Sequence, residues 1–163
     1  MNKKYGITGL ILIVVLTTVL ISGCIGDDST TTNNTNNTNN KFTNAVTFQG
    51  ITFYLPDGYK SFEKSSDSGI ILESFSNGTD VIALICYPSV SRSKILSNMK
   101  SDPFYTNINE SASYGEYSGH SADYTAENGI VIKYFVFEKD GKTISIGLNK
   151  ELNFNEYLPK IIG

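Results

Sequence analysis

From Phe42 onward, apolar residues recur mostly at every second position, the period of a half-buried strand. In "VTFQGITFYLPDGY", Val46 and Phe48 hold one parity and Ile51, Phe53 and Leu55 the other. The slip falls on Gln49-Gly50, where a β-bulge or a very tight turn would return both sets to one face. Pro56-Asp57-Gly58 then ends the run in a turn. In "GIILESFSNGTDVIALICYP", Asn77-Gly78 suits a two-residue type I′ hairpin, which would set Leu72 opposite Ala83 and Ile70 opposite Ile85. The second arm, Val81 to Tyr87, is apolar on both parities, as in a strand covered on both faces.

Two further hairpins are predicted at Asn128-Gly129 and Asp140-Gly141. Taken together as two-residue turns, they set His120 beside Phe137 and Ile144. Ala122 then falls beside Phe135 and Ile146, and Tyr124 beside Lys133 and Leu148. The spacing changes to a helical one twice. "SVSRSKILSNMKSDP" offers a serine cap and then Ile95, Leu96 and Met99, and stops ahead of Pro103. "NFNEYLPKIIG" offers Asn153 as cap with Glu156 three residues on, and Phe154, Leu158 and Ile161 facing inward; Pro159 should kink or shorten that helix. The predicted order is βββ-α-βββ-α: a single α+β domain, residues 42–163, with about six antiparallel strands and helices packed on the sheet.

The start of the chain follows another pattern. Met1 to Gly9 carries Lys3 and Lys4 and no acid, Leu10 to Ile21 is apolar apart from two threonines, and Ser22, Gly23 and Cys24 follow. A cationic head, an apolar core and small residues before a cut site predict an export signal over residues 1–23. Ile21-Ser22-Gly23-Cys24 resembles the lipobox of prokaryotic lipoproteins, which implies cleavage before Cys24 and a lipid on its sulfur. The alternative is an uncleaved transmembrane anchor, since Ile7 to Ile25 is near the shortest span that crosses a bilayer. Either way the domain is expected on the extracytoplasmic face of the cell membrane. One acyl chain holds only marginally, so stable anchoring calls for two.

Residues 24–41 read as the lipidated cysteine and its tether. "DDSTTTNNTNNTNN" has no apolar residue and cannot repay the entropy of ordering, so it is expected to be disordered and to reach roughly 20 Å as a coil. Its Asn-x-Thr sequons at Asn33 and Asn36, with Asn109 in the domain, are candidate glycosylation sites in an exported protein. Asn77 also heads a sequon, but as a turn residue it is the less favoured one.

Charge excludes more than it suggests. Without Lys3 and Lys4 the chain has 11 basic and 16 acidic side chains and no like-charge run beyond two residues, which gives no footprint for nucleic acid. Of the two cysteines, Cys86 lies within an apolar strand and reads as a buried hydrophobe, leaving no disulfide. The only histidine, His120, has Ser118, Ser121 and Asp123 nearby, but Ser121 and Asp123 point to the opposite face of an extended strand. One histidine and one buried thiol do not make a zinc site. "DGYKSFEKSSD" and "ENG" lack the alternating carboxylates of a calcium loop. No catalytic, metal or cofactor residues are assigned. His120 is expected at the rim of the core, making one ordinary hydrogen bond. Tyr105, Tyr114 and Tyr117, among Asn and Ser, are read either as an adaptable contact patch for a protein or glycan, or as padding at the sheet edges.

The stretch "GITFYLPDGYKSF", followed by a hairpin, a mid-chain helix and "FVFEKDGKTISI" leading into a C-terminal helix, resembles PsbP-like proteins over about Val46 to Ile162, with Tyr59 where many members carry tryptophan. The resemblance implies an α/β/α sandwich of the PsbP/Mog type, as found among bacterial and archaeal lipoproteins, and the tether composition favours an archaeal source. Members of that family mostly act as accessory or binding modules. The expected function is therefore a non-catalytic interaction module at the cell envelope, held by its N-terminal lipid. The alternatives are a small-ligand or calcium-type binding module with a site between sheet and helix, and a small extracellular hydrolase.

Overall fold

The computed structural model describes residues 41–149 and 151–163. The predicted leader, Cys24 and the tether through Asn40 lie outside the described residues. Among the described residues no helix is long and apolar enough to cross a membrane, which leaves strand-built spans aside.

Among the described residues, nine strands and two helices run in the order βββββ-α-ββββ-α. The first group is β1 (Asn44–Phe48), β2 (Ile51–Leu55), β3 (Lys60–Asp67), β4 (Ile70–Ser76) and β5 (Val81–Tyr87), followed by helix α1 (Arg92–Ser101). The second is β6 (Tyr105–Tyr114), β7 (Tyr117–Thr125), β8 (Val131–Lys139) and β9 (Lys142–Asn149), closed by helix α2 (Phe154–Ile162). Seven strands form one antiparallel sheet in the order β3-β4-β5-β9-β8-β7-β6, while β1 and β2 pair only with each other. The molecule is thus an α+β fold with seven sheet strands and a separate hairpin, in place of about six strands. The two unforeseen strands, β3 and β6, are the sheet edges.

Gln49-Gly50 is the tight turn of the two readings left open. Phe48 pairs with Ile51, and φ is +53° at Gln49 and +79° at Gly50, so both apolar sets of the hairpin face inward. That hairpin and α2 cover one face of the sheet. Phe48, Phe53 and Leu55 from the hairpin meet Phe135, Phe137 and Ile146 from the sheet and Leu158 and Ile161 from α2. On the other face Ile95 and Met99 of α1 pack with Tyr105, Tyr124, Tyr134 and Val136. Burying each of those two helical side chains is worth about 2 kcal/mol. β5 sits near the centre and is buried on both parities after Val81, Cys86 included.

Three registers test the hairpin predictions. Asp140-Gly141 is a two-residue turn as expected, pairing Phe137 with Ile144 and Phe135 with Ile146. At Asn77-Gly78 the loop is four residues long: Ser76 pairs with Val81 and Leu72 with Ile85, a shift of two that keeps every side chain on its predicted face. At Asn128-Gly129 the loop is three residues, closed by hydrogen bonds between Ala126 and Ile130 and from Gly129 N–H to Ala126 O. That shift of one moves His120, Ala122 and Tyr124 to the opposite face, where they pair with Val136, Tyr134 and Ile132.

Both helices start where predicted, with Ser91 and Asn153 as caps. Pro159 does not shorten α2, which runs on to Ile162. Its neighbour is Gly115 in the β6–β7 turn: a Cβ there would lie 3.7 Å from Pro159 Cβ, so the ring forms part of the helix–sheet contact. Glu156 sends its carboxylate to Lys160 Nζ at 2.9 Å.

Candidate functional site

The hydrolase-like residues do not assemble. His120 is 2% exposed, on the face that carries α1. Its Nε2 has no hydrogen-bond partner within the described structure, so it is not the bonded rim residue expected from the sequence. Burial, aided by Arg92 and opposed by Glu110, lowers its pKa from 6.5 to about 4. Ser121 pairs with Phe135 and projects to the other face. Asp123 accepts a hydrogen bond from Asn107 Nδ2 at 2.8 Å, and Ser118 offers its carbonyl to Arg92 Nη1. Among the described residues no three His, Cys, Asp or Glu side chains gather closely enough to hold a metal ion.

Nor do the three tyrosines share a surface. Tyr105 is buried at the start of β6 against Tyr124, ring centroids 4.9 Å apart, and burial holds its hydroxyl well above the usual tyrosine pKa. Tyr114 and Tyr117 lie at the other end of the β6–β7 hairpin, on the α2 side of the sheet. Tyr114 meets Phe135 and Phe154 edge-on at 4.8 and 5.1 Å. Tyr117 packs on Phe137 and accepts a hydrogen bond from Lys139 Nζ, which also donates to Ile162 O at the end of α2. These two tyrosines therefore fasten α2 to the sheet.

Asn109 is exposed on the edge strand β6, and its Oδ1 accepts the Ser111 N–H. Asn77 Oδ1 holds the N–H groups of Thr79 and Asp80. Asn33 and Asn36 lie outside the described residues.

A groove forms where no site residue was predicted. It has a volume of about 480 Å³ and is lined by residues 47–49 of the β1–β2 turn, 64–66 of β3 and 71–73 of β4. That is within the usual range for a small-ligand site. Phe48 is buried beneath it and Ile71 is half-buried, while the side chain of Leu72 joins the core on the opposite face of the sheet. Around Phe48 and Ile71 stand the hydroxyls of Thr47 and Ser66, the Gln49 amide, and Glu73, whose carboxylate pairs with Lys64 at 3.0 Å. Sequence reasoning missed this site because its β1–β2 wall lies 15 to 26 residues from the other two in the chain and one of those, β3, shows no apolar alternation. The Gln49-Gly50 slip was visible, but not where the turn would point. No known family model matches the sequence, and no curated protein is significantly similar to it.

Proposed function

We propose that this chain is an extracytoplasmic lipoprotein, anchored through Cys24, whose domain works by binding at the cell envelope and not by catalysis. The carrying observation is the lipobox-like Ile21-Ser22-Gly23-Cys24 placed immediately ahead of a long polar tract and then one compact domain. The fold supports it in two ways. The domain is tied off at its own start, with Lys41 O accepting the Asp57 N–H and Phe42 packed edge-on against Tyr157 at 5.2 Å. The side chains nearest to a hydrolytic set, His120, Ser121 and Asp123, are divided between two faces of the sheet. A central antiparallel sheet with helices on both faces is also consistent with a PsbP/Mog-type sandwich.

Fractionation of the producing cells tests this reading. The protein should partition with membranes and be digested by protease added to intact cells, and Cys24→Ser should leave the membrane or accumulate as uncleaved precursor. Protection from external protease, or unchanged membrane partition of a processed Cys24→Ser protein, contradicts it.

A further inference from the structure

We infer that the groove between the β1–β2 turn and the β3–β4 hairpin is a binding site for a neutral sugar, a hexose or N-acetylhexosamine unit of an envelope glycan. The inference rests on the reading of the chain as an envelope-binding module and supplies its ligand class.

Charge comes first. The lining has one cationic and one anionic side chain, and Lys64 Nζ already sits 3.0 Å from Glu73 Oε1. The ammonium group opposes a metal cation on Glu73, and the carboxylate opposes an anion on Lys64, so the groove favours an uncharged occupant. Its remaining polar groups are the hydroxyls of Thr47 and Ser66 and one primary amide, which both donate and accept and so match the hydroxyl rim of a pyranose. Below them Phe48 and Ile71, which share the hairpin side of the sheet, form an apolar floor of the kind that accommodates a sugar ring's C–H face. The walls are set before binding. Gln49 and Gly50 are fixed in a two-residue turn, and Ser65 and Ser66 are paired in register with Leu72 and Ile71.

An extended peptide adding to β3 is the competing occupant, because β3 is a sheet edge. The edge is guarded, however. A bulge between Ser61 and Glu63 interrupts its register, and Lys60, Glu63, Lys64 and Asp67 line it with charge.

The test is saturation-transfer NMR on the lipidated protein in dodecylphosphocholine, a sugar-free detergent. The probes are maltose, N,N′-diacetylchitobiose, glucuronic acid and a threonine-rich peptide, each at about 5 mM, enough to populate a millimolar site. At least one neutral sugar should show transfer. Ser66→Trp, at an exposed groove position that a bulky side chain would fill, should reduce it at least about tenfold with an unchanged melting temperature. Glu73→Gln, which leaves Lys64 unpaired, should add transfer to glucuronic acid. No transfer from either neutral sugar, transfer unaffected by Ser66→Trp, or transfer from the peptide alone overturns the assignment. Those outcomes leave the localisation of the chain, read by fractionation, untouched.

Discussion

His120 stands between Arg92, which disfavours its cation, and Glu110, which favours it, and burial is the largest influence of the three. With a folded pKa of about 4 against 6.5 ordinarily, the unfolded chain takes up the proton first. Stability should therefore fall as pH drops below 6.5 and level off below about 4, by about 3 kcal/mol in all. Glu63 opposes this: burial raises its pKa, so acidification relieves a cost there. Urea midpoints should decline across that window and decline much less in His120→Gln; equal slopes would exclude His120 as the source. A second residue-scale prediction concerns Gly119, where a Cβ would lie 2.0 Å from Val136 O. Backbone cannot yield there, so Gly119→Ala should cost about 3 kcal/mol or more by chemical denaturation. At Gly147 the obstacle is the Tyr134 ring at 2.5 Å, a side chain with some freedom, and Gly147→Ala should cost less. Equal losses at both positions would contradict the distinction.

At the scale of elements, a cation from β8 helps to hold the C-terminus of α2. Lys139 reaches from β8 to Ile162 O at 3.1 Å and to Tyr117, with Nζ 4.6 Å from that ring's centroid. Lys139→Met should cost about 1–2 kcal/mol and speed hydrogen exchange over residues 154–162. Exchange unchanged in that segment would show that the lysine does not hold the helix. The hairpins show what the sequence could disclose and what it could not. Asp140-Gly141 has φ of +50° and +71°, the pair a type I′ turn requires, and its register was legible. At Asn128-Gly129 only the glycine is at positive φ, which gives a three-residue loop and turns β7 over. At Asn77-Gly78 the asparagine side chain captures two N–H groups and widens the loop to four residues. All three dipeptides carry the same local signal, and the number of residues each turn absorbs depends on contacts beyond the turn. The edge strands were hidden for a related reason. β3 and β6 are paired on one side only and are largely exposed, so nothing selects for alternating apolar residues along them. The helices were legible because Ile95, Met99, Leu158 and Ile161 are fully buried and recur at helical spacing.

Across the whole molecule, the strand ends fall into two sets. Lys41, the first described residue, binds the Pro56–Gly58 turn, and the loops at 77–80 and 127–129 lie at that same end of the sheet. The groove lies toward the other end, about 16 Å away along the five residues of β1 at roughly 3.3 Å per residue. An anchor at Cys24 would thus join the domain at the end opposite the groove. The proposed address rests on contiguous residues near the N-terminus. The groove was illegible because it exists only once β1, β3 and β4 are folded together. The most direct test of the account is the intact mass and N-terminal sequence of the protein purified from its own membranes. The account predicts a chain that starts at Cys24 and carries lipid mass on that residue. A chain that starts at Met1 with an unmodified Cys24 would contradict it.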